Sequence, residues 1–409
     1  MKRVVITGMG AITPIGHSVA ALYDSLLAGR HGFGTITRFD LEGFKATVAA
    51  EIKDYDPLNH FPKPDARRMD FFTQYALVAA QEAMDDSGIL DTIAPERLGV
   101  YVGSGVGGMD TFVNAAVANH ESGARKVSPF VIPMMISNMA AGQISMKYNA
   151  KGPTLPVVTA CASSTNALGE AFRAIKHGYA DAIIAGGTEA AINPVSIAGF
   201  QNAMALSNNP DPDSCCVPFD KRRNGFVMGE GAGILVLEEY DHAMARGATI
   251  YAEFCGYGNT ADAHHITAPH PEAEGAVSAI KLALSEAGYT DDMTVYINAH
   301  GTSTPLNDKG ETLALKKVFG EDAARKLHIS SSKSMTGHML GAAGAVEAIV
   351  SVLTLHKGTV TPTVGYQEPD EDCDLNYTVN GPLNVTCDMA LSNSFGFGGH
   401  NAVIALRKV

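Results

Sequence analysis

The sequence is poor in charge, and poorest in positive charge. Only 18% of its 409 residues are Asp, Glu, Lys or Arg, against 46% hydrophobic, a balance that supplies a large core and excludes long disorder. Lys and Arg number 30 against 43 Asp and Glu, a formal net charge of −13, which argues against general binding to DNA, RNA or an anionic membrane surface. An acidic partner must therefore meet a local basic patch. Cysteine is sparse and unpatterned. Cys161, Cys215, Cys216, Cys255, Cys373 and Cys387 form no CxxC pair and no framework spacing, so a disulfide scaffold is excluded and a reducing cytoplasm is the expected home. No stretch approaches the roughly 20 apolar residues that span a bilayer. The opening MKRVVITGMGAITPIG places two basic residues before an apolar run, but Gly8, Gly10, Pro14 and Gly16 break that run, and it reads as a buried first strand rather than a leader.

What is present is a repeated α/β pattern. The length, at about 150 residues per domain, allows two or three domains or one duplicated unit. Short β-branched runs, Gly-rich turns and Ala-rich helical stretches alternate, which predicts buried, largely parallel strands and few surface hairpins. A first set reads as strand 3–8, helix 74–87, strands 98–103 and 155–160, helix 163–177, and strands 182–186 and 233–238. A second reads as strand 251–257, helix 274–288, strands 294–299 and 327–331, helix 341–356, and strands 389–393 and 402–406. The turns echo one another: GMGAITP matches GYGNTAD, and VVTACASSTNALG matches ISSSKSMTGHMLGAAG. Two such halves, 1–250 and 251–409, would pack about a pseudo-dyad where the carboxyl ends of their strands meet. Residues 38–68 and 106–153 read as insertions that form a cap or a subunit contact.

Several motifs carry candidate chemistry. Gly103–Gly108 has dinucleotide-turn spacing, but no second strand ending in an acid follows about twenty residues on, and no GxxxxGK[ST] phosphate loop occurs. Cys161, in TACASSTNALG, opens a helix whose free N–H groups favour a thiolate; the ordinary alternative is a buried structural cysteine. His300, in NAHGTSTPLND, and His338, in SSSKSMTGHMLGAAG, each follow a strand, with Lys333 just upstream. A strand-end histidine is often structural, yet two of them face the strand end that bears Cys161. A zinc site from Cys161, His300 and His338 lacks the local ligand spacings, and the adjacent His264 and His265 point apart. In NSFGFGGHN, glycines flank Phe397, so the segment is either a tight hairpin or a mobile gate that also offers an oxyanion donor.

Together, VVITGMGAITPIG, TACASSTNA, AGGTEA, PFDKRRNGFVMGEGAG, INAHGTSTPLND, KSMTGHMLGAAG and NSFGFGGHN resemble the β-ketoacyl-acyl-carrier-protein synthases of the thiolase-like superfamily, most closely the elongating type II members. The resemblance covers essentially the whole chain. It implies two duplicated βαβαβαββ halves in a five-layer α-β-α-β-α fold, and a cytoplasmic homodimer without cofactor, nucleic acid or membrane. It further implies that Cys161 takes an acyl group from acyl carrier protein. The carbanion made by decarboxylating malonyl-acyl carrier protein then attacks that acyl-cysteine, with His300 and His338 donating to the enolate oxygen. The N–H groups of Cys161 and Phe397 form the other oxyanion site. Lys333 and Glu347 support the histidines, Thr302 and Thr304 contact the phosphopantetheine arm, and Val106 and Phe200 line the acyl pocket. Phe397 gates, moving with residues 262–267. No metal is required, although in some relatives a monovalent cation sits near the residues matching Asn298 and Glu347. From charge, the carrier-docking candidates are Lys63, Arg67, Arg68, Arg125 and Lys126. Competing roles are a synthase of a specialised polyketide pathway and a non-catalytic synthase partner. The chain departs from the pattern at His400, Val106 and Cys215-Cys216-Val217, which bears on chain length and docking.

Overall fold

Double burial shapes the strands. In the strand Ala182–Glu189, Ile183 and Ala185 enter one apolar cluster while Ala182 and Ile184 enter another, which requires a layer on each face of the sheet. A computed structural model describes the whole chain, residues 1–409. Its frame is β1 (Val4–Ile12), β2 (Leu98–Gly103), β3 (Thr154–Val157), β4 (Ala182–Glu189), β5 (Gly231–Glu239), β6 (Ala252–Ala261), β7 (Val295–Asn298), β8 (His328–Ser330), β9 (Met389–Gly396) and β10 (His400–Arg407). The principal helices are α1 (Phe71–Ser87), α2 (Ser163–Lys176), α3 (Glu274–Ala287), α4 (Pro305–Phe319) and α5 (Ala343–Lys357).

The strand order is β8-β7-β9-β10-β6-β1-β5-β4-β2-β3. Each five-strand block therefore has the same order, third-second-fourth-fifth-first by position in the chain. The blocks join where Val4–Ile6 of β1 pairs with Ala252–Phe254 of β6. α2 and α5 lie between them: Leu168, Phe172 and Ile175 share one core with Val346, Ile349 and Leu353, and with Ile183, Leu235, Tyr296 and Ile404 from both blocks. α1 covers the first block through Phe72, Tyr75 and Ala79, and α3 and α4 cover the second through Ile280, Leu284 and Leu315. The result is the expected α-β-α-β-α layering. The echoing glycines have one purpose in both halves. A Cβ on Gly8 or Gly10 would lie 2.3 or 2.0 Å from the carbonyls of Ala83 or Ala79, and on Gly256 or Gly258 2.2 or 1.9 Å from those of Ala283 or Ala279. Only glycine lets each outer helix rest directly on its strand.

Strand direction differs from the expectation. β2 is parallel to β3 and β4, and β7 to β8 and β9, but all five pairings from β9–β10 through β5–β4 are antiparallel. Continuous apolar runs report burial on both faces, which does not fix direction, and the short turn between β9 and β10 permits only a hairpin. The segment Leu340–Lys357 is long and apolar enough to cross a membrane, but 89% of it is buried inside the protein, where it supplies α5 of the central layer.

Candidate active site

The two central helices begin at the seam between the halves, and each is preceded by a tight turn. After β3 the chain makes a 3-10 turn at Ala160–Ala162 and enters α2, which places Cys161 at the helix start. Ala160 has φ 51°, a left-handed conformation costly for a residue with a Cβ, and it turns Cys161 toward a cavity of about 350 Å³. The same cavity is walled by Phe200, His300, Thr302, Thr304, His338 and Phe397. The structure thus brings the thiol, both histidines and the Phe397 turn together. A larger cleft of about 960 Å³ at His17, His60, Glu82 and Lys147 contains no thiol.

Each histidine is held from behind. The N–H groups of His300 and Gly301 both donate to Glu311 on α4 at 2.8 Å, and the Asn393 amide donates to the same carboxylate at 3.0 Å. The backbone of His338 bridges Val227 and Gly229, and the two imidazoles stand edge to face with centroids 5.4 Å apart. Lys333 Nζ lies 3.5 Å from His300 Nδ1 and forms an ion pair with Glu347, both side chains almost completely buried. Burial holds His300 and His338 well below the ordinary histidine range, and the Lys333 charge adds to the effect. Both rings are therefore neutral near pH 7, each with one N–H to donate.

The nucleophile departs from the helix-start expectation. Burial pushes the Cys161 thiol up to about 12, and neither the Lys333 charge nor the Phe397 N–H reverses this. The half-buried thiol opens into a pocket walled by Phe200, Phe226 and Phe397, and desolvation there outweighs the short turn's field. The resting group is a thiol. Phe397 lies in the three-residue turn between β9 and β10, its ring 6.2 Å from Phe200, so the segment is a hairpin and also a wall of the cavity. At Gly396 a Cβ would sit 3.2 Å from the Cys161 nitrogen; its absence leaves that N–H approachable.

Other expected residues separate. The Thr302 and Thr304 hydroxyls share a hydrogen bond of 2.9 Å at the cavity wall. Val106 is not part of that wall: its N–H donates to Glu189 and its side chain is 36% exposed. Lys63, Arg67, Arg68, Arg125 and Lys126 are all exposed, and Arg68 stacks over Phe130 at 4.9 Å, which draws the two basic segments toward one face. No three His, Cys, Asp or Glu side chains converge as metal ligands. A helix, Met109–Ser122, does follow the Gly103–Gly108 loop, but the next strand begins only at Thr154. Sequence reasoning missed Glu311 and Glu189. The available signal for Glu311 was its spacing, one helical turn after Asp308 in the helix that follows the His300 loop.

Residues 1–243 match the family described as beta-ketoacyl synthase, N-terminal domain, and residues 251–367 match its C-terminal domain. The chain belongs to the β-ketoacyl synthase family. Among similar proteins, the 3-oxoacyl-[acyl-carrier-protein] synthase 2 of Staphylococcus aureus (strain COL) is 51% identical over 408 residues, covering 100% of this chain and 98% of the relative. A β-ketoacyl synthase from Burkholderia phymatum STM815 superposes with a TM-score of 0.93 at 35% identity, covering 100% of both chains. A ketosynthase solved with the acyl carrier protein of its type II polyketide system superposes at 0.92 with 33% identity, covering 100% of this chain and 99% of that one. Across this β-ketoacyl synthase, the motifs around Cys161, His300 and His338 converge on one cavity, as the resemblance implied.

Proposed function

We propose that this β-ketoacyl synthase is a 3-oxoacyl-[acyl-carrier-protein] synthase of the elongating type, extending an acyl chain by two carbons. The observation that carries the reading is one cavity holding a thiol, two neutral histidines and the N–H groups of Cys161 and Phe397. Cys161 attacks the acyl thioester as its thiolate; the oxyanion is received by the two N–H groups, and as it collapses the C–S bond to the carrier breaks and the carrier sulfur leaves with the proton that the Cys161 thiol gave up. Malonyl-acyl carrier protein then loses carbon dioxide. The electron pair of the broken C–C bond becomes an enolate, whose oxygen accepts from His300 and His338, each such donor supplying about 3 kcal/mol in comparable sites. The enolate carbon attacks the acyl carbon, the tetrahedral oxyanion reforms its carbonyl as the S–C bond breaks, and Cys161 leaves as a thiolate that takes up a proton from water to regain its resting form. Malonate carries its own leaving group, so neutral donors suffice where a strong base would otherwise be needed. Cys161 and both histidines speak against a non-catalytic partner.

Supporting assignments follow from the surroundings. Thr302 and Thr304 would meet the phosphopantetheine arm, Phe200 the acyl chain, and the exposed patch at Lys63, Arg67, Arg68, Arg125 and Lys126 the acidic carrier. The division at 250/251 follows the identical strand order of the blocks. A homodimer is supported by the edge strand β3, where Leu155 is 47% exposed, and by Phe112 at 50% and Ile132 at 61%; an uncovered apolar edge invites a second strand. Val106 would enter the acyl pocket only at such an interface. Asn298 Oδ1, Ser392 Oγ and Glu347 Oε2 are buried without hydrogen-bond partners, and Asn298 and Ser392 are opposed across β7 and β9. These unpartnered oxygens are the groups that would ligate a monovalent cation near Asn298 and Glu347.

The test separates the half-reactions. Cys161→Ala should abolish condensation but retain slow malonyl decarboxylation. His338→Ala should still accept an acyl group on Cys161, with decarboxylation reduced about 10²-fold or more. Each variant is first checked for a wild-type melting curve. Normal decarboxylation by His338→Ala would show the two-histidine mechanism to be wrong.

A further inference from the structure

The glycine loop that resembles a dinucleotide turn does bind an anion, one supplied by the chain itself. The N–H groups of Gly105 and Val106 donate to Glu189 Oε2 and Oε1 at 2.7 and 3.2 Å, and the Ser104 hydroxyl donates to Oε1 at 3.0 Å. From the second half, the Gly341 N–H reaches Oε2 at 2.9 Å. Glu189 is 0% exposed. Burial pushes its carboxyl up, while the three N–H groups and the hydroxyl pull it down. Since all four partners donate, the carboxylate is the form that satisfies them.

The pseudo-dyad gives this arrangement meaning. Cys161 and Gly341 are each the second residue of a 3-10 turn, Ala160–Ala162 and Leu340–Ala342, that leads into a central helix. Each follows a non-glycine residue at positive φ, Ala160 at 51° and Leu340 at 46°. β4 and β9, equivalent in strand order, end at Glu189 and Gly396. In the first half, Gly396 leaves the Cys161 N–H open to a substrate oxyanion. In the second, Glu189 places its own oxygen on the Gly341 N–H. The second half thus keeps the nucleophile turn, with glycine in place of the thiol and a permanent carboxylate in place of the oxyanion.

We propose that Glu189 is a positioning residue for condensation: by filling this counterpart site it locks the turn that follows His338 to the loop beside Cys161. Gly341 is three residues after His338, and a Cβ on Gly105 would lie 3.7 Å from the Ala160 carbonyl, so the carboxylate ties the turn after His338 to a loop that packs against the Cys161 turn. The inference rests on the two-stage reaction proposed above. Acylation uses the N–H groups of Cys161 and Phe397, whereas decarboxylative condensation also needs His338, which holds the enolate, in register with the acyl group on Cys161. Loosening the clamp should therefore harm the second stage selectively.

Glu189→Gln keeps size and shape but turns an amide nitrogen toward an N–H donor. With purified full-length enzyme and acyl- and malonyl-acyl carrier protein, acylation of Cys161 should stay within about 3-fold of wild type. The kcat of decarboxylative condensation should fall about 10- to 100-fold, the scale of a misplaced catalytic group, with KM for the malonyl carrier little changed. Glu189→Asp, which keeps the charge, should recover part of the loss. A purely structural role would lower both stages together in proportion to folded enzyme; that result, or neither stage changing, overturns the proposal. If Glu189→Gln does not fold, Ser104→Ala, which removes one donor, decides: a selective loss of the second stage of about 3-fold or more supports the clamp, and an equal or absent loss overturns it. Wild-type enzyme that performs neither stage would defeat the reaction itself, a result distinct from both.

Discussion

Replacing Lys333 by Met tests the electrostatics of the site most directly. Lys333 and Glu347 form an ion pair with side chains 1% and 2% exposed, and Glu347 Oε2 has no hydrogen-bond partner, so the ammonium is the carboxylate's main compensation. Removing one member of a buried pair costs about 3–5 kcal/mol, because the other charge stays buried and alone. Glu347→Gln should cost a similar amount by stranding Lys333 beside His300. The double variant Lys333→Met/Glu347→Gln removes both charges and should lie well above the sum of the singles. The Lys333→Met penalty also has a defined pH dependence. Burial raises the folded-state pKa of Glu347, and Lys333 opposes that rise; without Lys333 the folded pKa climbs further above the unfolded value of about 4.3. The folded state then holds a proton that the unfolded state has released. Stability is lost as pH rises through the folded pKa and regained as pH falls toward the unfolded one. Urea unfolding with checked m-values should therefore show a larger loss for Lys333→Met at pH 8 than at pH 5.5. A single-variant loss below about 1 kcal/mol, or a double variant as unstable as the summed singles, would refute this reasoning.

Three further outcomes are expected. Iodoacetamide should label Cys161 ahead of the buried Cys215, Cys216, Cys373 and Cys387, but with a rate that climbs about tenfold per pH unit from pH 7 to 9, because the thiol is pushed up to about 12; a plateau by pH 7 in peptide-mapped labelling would reveal a thiolate instead. Arg67→Glu/Arg68→Glu should raise KM for carrier-bound substrate and flatten its salt dependence, and unchanged kinetics would remove this patch from docking. Burial, with the Asp70 charge adding, pushes the Asp110 carboxyl up to about 6, and its Oδ1 has no partner; Asp110→Asn should thus raise the melting temperature at pH 8, where the folded carboxylate is ionised, and not at pH 4.5, with equal gains at both pH values excluding the mechanism.

Much of this site is legible in the sequence because its chemistry is local. Cys161, His300, His338 and Phe397 each sit in a short run of small or polar residues at a strand end, and the paired glycines Gly8/Gly10 and Gly256/Gly258 mark where helices lie on strands. What escapes is set by distance along the chain. Glu311 acts through the backbone N–H groups of His300 and Gly301, and Glu189 through Gly105, Val106 and Gly341, so neither carries a side-chain motif at the position it serves. Strand direction escaped because burial on both faces gives one apolar signature for parallel and antiparallel pairing. The state of the Cys161 thiol is not legible in sequence because a helix start can be read there, whereas the desolvation that outweighs it depends on the opposing half.

That desolvation poses a chemical conflict which one residue relieves. Condensation needs neutral imidazoles and, in its first stage, an ionised sulfur. Burial favours the neutral form of every group, so it lowers the two histidines as required but raises the thiol against the requirement. A negative charge in the cavity would worsen both faults, since it would protonate the imidazoles and oppose the thiolate. A positive charge improves both. Lys333 acts in that sense on all three groups, lowering Cys161, His300 and His338 together, and Glu347 holds it in place from the side of α5. The lysine therefore needs no contact with substrate to matter: its charge shifts the proton distribution of the cavity toward sulfur anion and neutral rings, the combination that each half of the duplicated fold would lack alone.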